Sequence, residues 1–517
     1  MSRTRIVKGK ITEITGGTSR IFAKSIKINS GRSINYYAKN YTYGEPQDPP
    51  TSKYAEFDIG FELNMDENTM VPFGILDCEN NIENPYFSFK YALRNDDIDS
   101  LGFKITDEEN EIIYQMGYLK PVIIKAQKKP LVLFEAKKPT EGPLISKTWE
   151  YKKLFAPYVL TEPDYTKRGE YHLNWDGFDN DEIYDSRRFA GKKLKATITA
   201  TKGDIIKAKE IEFEVSYKEV EWVDVKINRN TKRIDVTLRV NLADGGEKGL
   251  TCQTINANMY GTPARTVCDW DKIPSSVIKT SDPIIKSRTK TFEDLKKIAF
   301  TGLEKYWGRN KNNFIGKNVN ITDSYEVYIT PLDSTKRALN SLPLVYNTNG
   351  DWMRSGNPGG SYCDGNLDDN LLDTLPDLGI IQRLSFNVGY IYEYHFLKTW
   401  EYQNEASEID DFEETAAHEL GHEILQAYAG TVYSWQHKGS SYYLPQDTKP
   451  NKGNETSWDK ICHLDEMNTY GENYPLSGEI DVMKYYNKTP VIKDRKRTVA
   501  NENDVLGLLW LTKINIK

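Results

Sequence analysis

From residue 56 to about residue 220, apolar side chains recur at every second position in short runs separated by turn residues, and this period commits that part of the chain to β-structure. Successive side chains of a strand point to opposite faces, so Phe87, Phe89 and Tyr91 share one face, as do Leu101, Phe103 and Ile105. The number of such runs predicts a β-sandwich. Gly169 to Gly177 places Tyr171, Leu173 and Trp175 on one face before an Asp-Gly turn, which reads as core and turn without chemistry.

A chain of 517 residues exceeds what one hydrophobic core organises, so several domains are expected. Residues 1–55 form the first segment, an extension of short β-prone pieces broken by Gly9, Gly16, Gly17, Gly31 and Gly44 and closed by Pro46, Pro49 and Pro50. Residues 56–220 form the sandwich, and residues 221–517 a further domain in which the period changes. There a strand carrying Ile234, Val236, Leu238, Val240 and Leu242 precedes a helix capped by Thr291 and Asp294, with Phe292, Leu295, Ile298, Ala299, Leu303 and Tyr306 at helical spacing. Strands follow at Tyr325 to Ile329 and around Val388 to Phe396, then a second helix, which is an α+β order.

That second helix carries His418-Glu419-Leu420-Gly421-His422. Histidines four apart lie one turn apart on one helix face, about 5–6 Å between Cβ atoms, from which two imidazoles converge on one Zn2+. Glu419 beside them is placed to take a proton from a metal-bound water. Ser407 with Glu408, Asp410 and Asp411 supplies a cap and negative charge at the helix start, Gly430 marks its stop, and Ala417, Leu420, Ile424 and Tyr428 form a buried stripe. With six histidines in the chain, this pattern arises by chance in about one such sequence in two hundred. Catalytic zinc takes three protein ligands and leaves one position open for water. The third is open between His437, just past the helix-ending turn, and Asp481, with Glu479 behind them. Tyr485 or Tyr486 is a candidate hydrogen-bond donor to a tetrahedral intermediate. His463 is expected at the surface, and His172 and His395, in predicted strands, to be structural.

Charge and patterning exclude other classes. The net charge of −7 is made of interspersed charges of both signs with no long basic block, which argues against nucleic acid as a partner. The run from Val505 to Leu511 is too short to span a bilayer and reads as the buried face of a terminal helix. No apolar stretch follows the basic residues of the N-terminus, so the protein is expected to be made in the cytoplasm without a Sec signal and exported by another route. The five cysteines form no CxxC pair, and buried free thiols are the expectation for them, with a bridge between Cys252 and Cys268, which bracket a Gly/Pro-containing loop, as the alternative.

His418 to His422 resembles the signature of zincin metallopeptidases, and Gly478-Glu479-Ile480-Asp481 with Tyr485 resembles the Gly-Thr-x-Asp-x-x-Tyr-Gly element of aspzincins, departing from it at Glu479 and in the tyrosine spacing. Residues 84–203, with Tyr171 to Gly177, resemble the Ig-like domain of flagellar hook-capping proteins, interrupted by an insertion after Tyr114. The opening, from Val7 to Gly17 and on to Tyr43-Gly44-Glu45-Pro46, is similar to the N-termini of effector-like proteins of Bacteroidota associated with type VI secretion. Together these resemblances imply a modular secreted toxin: a delivery-related front, an Ig-like β-sandwich and an α+β zincin-like metallopeptidase domain acting on a protein or peptide, with a contractile secretion apparatus and an immunity protein as partners. The alternatives are an adaptor or adhesin with a vestigial metal site, and an amidase acting on cell-wall peptides.

Overall fold

The computed structural model describes residues 56–119, 123–126, 129–132, 163–257, 263–278, 284–357, 381–394, 397–402, 404–435, 473–486, 490 and 493–517. Asp58–Lys517 form one compact unit, separate from Met1–Phe57. It is rich in β-structure, and among the described residues three α-helices are set into its second half.

The alternating runs of the first half pair as two antiparallel sheets. One has the strand order Asp58–Leu63, Phe87–Arg94, Gly169–Trp175. The other runs Thr69–Met70, Ile514–Ile516, Ile205–Tyr217, Lys192–Lys202, Ser100–Thr106, Ile112–Leu119. Their inner faces meet through aromatic rings. Phe89 lies 5.4 Å from Phe103, Phe87 5.9 Å from Phe213, and Tyr114 6.0 Å from Trp175 between ring centroids. Rings of this size contribute about 1.5–3 kcal/mol each on full burial, so this cluster is a main source of the region's stability. Two pairings cross the division expected near residue 220. Ile183–Asp185 adds to Val223–Asn228, and the C-terminal strand Ile514–Ile516 returns to pair with Tyr217 and Val215.

Beyond residue 221 the strand Arg233–Val240 buries Ile234, Val236, Leu238 and Val240 as its period requires, and pairs in parallel with Ser324–Asp333. Parallel neighbours need a crossover. It contains helix α1, Phe292–Trp307, whose Thr291 and Asp294 form a reciprocal capping box and whose buried face carries Leu295, Ala299, Leu303, Tyr306 and Trp307. A three-stranded parallel sheet follows, Leu242–Lys248, Leu342–Asn347 and Leu384–Asn387. Helix α2, Glu405–Trp435, packs on both α1 and Leu384–Asn387. Helix α3, Glu502–Trp510, buries Val505, Leu508, Leu509 and Trp510. No helix among the described residues is long and apolar enough to cross a membrane. Cys252 and Cys268 form a disulfide across a two-stranded hairpin, and Cys78 is a free thiol. Cys363 and Cys462 lie outside the described residues.

The two helices approach closely because their contact points are small. A Cβ on Gly302 would lie 2.2 Å from the Glu413 carbonyl oxygen, so only glycine permits α1 to run this near α2. Trp307 Nε1 then donates to the Ala417 carbonyl at 3.0 Å, and Lys305 pairs with Glu413 at 2.8 Å. The start of α2 differs from the sequence expectation. Asn404 is the capping residue, accepting from Ser407 N at 3.0 Å and Ser407 Oγ at 3.2 Å, so Ser407 sits inside the first turn and serves the cap as donor. Asparagine is at least as good a cap as serine, and its side chain stands three residues earlier, where the orphan N–H groups point.

Candidate metal centre

Helix α2 places His418, Glu419 and His422 in the interior, with 9, 7 and 6 % of their surfaces exposed. The two imidazole rings stand 5.0 Å apart and at 90° to one another, and His422 Nε2 lies 4.0 Å from Glu419 Oε2. Gly421 lets the helix settle. A Cβ there would lie 2.4 Å from Met483 Sδ and 2.8 Å from Trp307 Cζ2, so Met483 and Trp307 fill the space behind the histidines.

Each imidazole is oriented through Nδ1. His418 Nδ1 lies 2.7 Å from the Val482 carbonyl oxygen, which can only accept, so Nδ1 carries the proton and Nε2 the lone pair. His422 Nδ1 lies 3.1 Å from both the carbonyl and the hydroxyl of Ser434, whose Oγ donates in turn to the His422 carbonyl at 2.7 Å. Burial lowers the pKa of His418, and burial followed by the neighbouring His418 lowers that of His422 well below its ordinary value. Both rings are therefore neutral at pH 7, the form in which imidazole ligates metals. Backbone acceptors on Nδ1 are the outer-shell arrangement that fixes a ligating tautomer.

Gly430 breaks α2 with a φ of 87°, and the chain resumes a short helical turn to Trp435. This reversal brings Ser434 back to His422. His437, expected to return by the same reversal, lies outside the described residues, as do His395 and His463. Asp481 lines the cleft beside His418, and its Oδ1 accepts from Met483 N at 2.9 Å within the turn that presents Val482. Glu479 faces away into a two-pronged ion pair with Arg309, at 2.7 and 2.9 Å. Among the described residues no three His, Cys, Asp or Glu side chains converge closely enough to hold a metal ion.

The cleft beside His418 has a volume of about 320 Å³ and is lined by Arg354, His418, Glu419, Asp481, Val482 and Tyr485 among others. Tyr485 stacks on His418 with centroids 5.3 Å apart, and burial with the Glu419 charge pushes its phenol up to about 12. Tyr485 keeps 43 % of its surface exposed, and the Arg354 charge opposes the rise. The Tyr486 hydroxyl instead accepts from Asp481 N at 3.0 Å. Burial raises the Glu419 carboxyl to about 8, opposed by the charge of Arg354 and by the Asn357 backbone N–H, while Asn357 Nδ2 separately donates to the Glu419 backbone carbonyl at 2.8 Å. Arg354, Asn357, Ser434 and Met483 all escaped sequence reasoning, because none belongs to a spacing pattern. His172, expected to be structural, lies on the sandwich with its Nδ1 3.4 Å from Ser88 Oγ.

Glu408, near the start of α2, is a second buried carboxyl. Burial raises its pKa to about 7, with Lys290 opposing and Glu405 reinforcing, and its Oε1 has no hydrogen-bond partner among the described residues. Since the folded-state pKa exceeds the ordinary 4.5, the folded protein holds this proton longer than the unfolded chain. The stability present below pH 4.5 is therefore lost as the pH rises toward 7. Glu408→Gln is expected to remove this term, gaining about 1 kcal/mol on the native protein between pH 5 and pH 8 after allowance for screening, as read from urea midpoints at the two pH values. Equal differences at both pH values would contradict it.

No family model matches the chain, and no curated protein matches it. Among solved structures, Bifidobacterium dentium beta-glucuronidase complexed with coumarin-3-O-glucuronide is 7 % identical over 71 % of this chain, with a TM-score of 0.12, and the match spans 58 % of that chain's length. A likeness of this size carries no argument about fold or chemistry.

Proposed function

We propose that the protein is a zinc-dependent peptidase, with a zincin-like domain from residue 221 to 517 behind an Ig-like sandwich from 56 to 220. The observation that carries this reading is the pair of buried histidines, one helical turn apart at a cleft, with both Nδ1 atoms held by carbonyl oxygens. The donor set fits Zn2+: two neutral imidazoles directed by Nε2, a buried carboxylate beside them, and His437 or Asp481 as third ligand. A bound Zn2+ would supply the Lewis acidity that brings a water's pKa near ~7. Glu419 takes the proton of the attacking water and returns it to the leaving amine. The Tyr485 hydroxyl, held in its neutral form by burial, donates to the developing oxyanion. Asn357 keeps the Glu419 backbone in place.

The Ig-like reading is supported by Tyr171, whose hydroxyl donates to the Lys167 carbonyl at 2.9 Å at the start of its strand, as a tyrosine corner does. Gly169 leaves room for that hydroxyl, since a Cβ there would stand 2.9 Å from it. With the resemblance of the N-terminus, these features favour an effector exported by a contractile, type VI-like apparatus and controlled by an immunity protein. The Cys252–Cys268 disulfide suits an oxidising destination.

Metal analysis tests the site. The wild-type protein is expected to bind one zinc, His418→Ala and His422→Ala to lose it, and His437→Ala to weaken it more than Asp481→Ala, because the Asp481 carboxylate already serves Met483 N. A wild-type protein that binds no zinc after equilibration with the metal would overturn the reading.

A further inference from the structure

Arg354 stands where a substrate would lie, and the established logic of the histidine helix does not use it. The segment from Asp351 to Asn357 runs beside Leu384–Asn387. Gly356 and Arg383 exchange backbone hydrogen bonds at 3.0 and 2.9 Å, Ser385 N donates to Ser355 Oγ at 2.9 Å, and Asn357 reaches the Glu419 carbonyl. Ser355 and Asn357 are buried, Asp351, Trp352 and Arg354 are exposed, and of these Trp352 and Arg354, two residues apart, line the cleft. Trp352 keeps 47 % of its surface accessible.

We propose that Arg354 is a specificity-determining residue that seats a substrate carboxylate beside the scissile bond, so that the preferred substrate is an acidic polypeptide; this rests on the peptidase reading above. The cation lines the cleft beside Glu419 and Tyr485, and its charge acts on Glu419, His422 and Tyr485. Among the described residues no carboxylate is shown at ion-pair distance from it, while two acidic side chains of the same cleft are engaged with other cations. Asp411 and Glu414 pair with Arg495 at 2.8 and 3.0 Å, and Glu414 also with Lys493 at 3.0 Å. A planar guanidinium presents two parallel donors that match a carboxylate, in a half-enclosed cleft where charge-assisted bonds are stronger than in water. The positive character continues past Arg354. A neighbouring groove of about 490 Å³ shares Trp352 and Arg354 with the cleft and adds Lys248 and Arg383, with Lys272 paired to Asp269. Asp269 in that groove is spent on Lys272 at 2.7 Å, which leaves Asp351 as its other carboxylate.

The test uses the zinc-loaded full chain and short fluorescent peptides that are neutral, glutamate-rich or lysine-rich, each with an amidated or a free C-terminus. Binding is read by anisotropy on the Glu419→Gln protein and kcat/KM on the protein with Glu419 intact. Glutamate-rich amidated peptides are expected to bind about 10–100-fold more tightly than neutral ones, the range one charge-assisted contact supplies. Arg354→Ala removes most of that preference, chiefly through KM, and Arg354→Glu turns it toward lysine-rich peptides. A preference shown only by free C-termini would place the recognised carboxylate at the chain end. Equal binding of acidic and neutral peptides, or an acid preference that survives Arg354→Glu, would overturn the proposal. Arg354-dependent acid-selective binding without any cleavage sinks the peptidase reading and leaves this one standing, whereas cleavage without acid preference does the reverse.

Discussion

Glu419→Gln is expected to lower kcat for peptide hydrolysis by about 10²–10⁴-fold while leaving the fold and the zinc content unchanged. The substitution is nearly isosteric, and the backbone contact that fixes this residue, Asn357 Nδ2 to the Glu419 carbonyl, does not involve the side chain. It removes the ability to accept and return a proton. Burial holds the carboxyl up to about 8 in the metal-free protein, so its ionised form depends on the Arg354 charge and on the dication it would face. Glutamine has no charge to bury, and thermal stability near neutral pH should stay equal or rise. The experiment pairs kcat on a quenched peptide with circular dichroism and metal content for the same preparations. Undiminished hydrolysis by a folded, zinc-loaded Glu419→Gln protein would remove Glu419 from the mechanism. Chelation of the metal should abolish hydrolysis in the unsubstituted protein and the residual hydrolysis of the variant alike.

The parts of this molecule that a sequence makes legible are those written as a period or a spacing. Alternation placed Phe87, Phe89 and Tyr91 and the run from Ile234 to Val240, and all of them are buried as that alternation requires. Helical spacing gave α1 its capping box and buried face, and put His418 and His422 on one face of α2. What escaped is carried by groups without side-chain identity or by pairings distant in sequence. The acceptors that orient the histidines are the carbonyls of Val482 and Ser434, which any residue could supply. The strand that joins Thr69–Met70 to Ile205–Tyr217 in the six-stranded sheet comes from Ile514–Ile516, about three hundred residues further along the chain. Gly430 announced a break in α2 but not the direction the chain takes after it, since a positive φ permits several exits. Ser407 was the nearest good cap by composition, yet Asn404, equally suited, stands at the position where helical geometry begins.

Glu479→Ala is expected to destabilise the protein toward the lower end of about 3–5 kcal/mol and to weaken zinc binding by about 10–100-fold, although Glu479 touches neither histidine. Its partner Arg309 follows directly on α1, and the arginine side chain is 5 % exposed against 37 % for the glutamate. Arg309 also donates to the Ala500 and Asn318 carbonyls at 2.8 Å each, so truncating Glu479 strands a charge that is fixed in place and largely shut off from water. The partial exposure of Glu479 lets water replace some of what is lost, which sets the estimate at the low end. The second effect follows from position. Immediately after Glu479, Ile480–Asp481 pairs with Thr498–Val499, and the next two residues supply the carbonyl that holds His418 and the sulfur packed behind Gly421. Loosening the ion pair therefore loosens the orientation of His418, the imidazole proposed to ligate zinc. Urea midpoints and competitive zinc titration on the same samples separate the two effects. Arg309→Met combined with Glu479→Leu, which removes both charges together, should recover much of the stability, because the cost of the single variant lies in the orphaned cation. A Glu479→Ala protein with unchanged midpoint and unchanged zinc affinity would show that the turn bearing Val482 is held by its strand pairing alone.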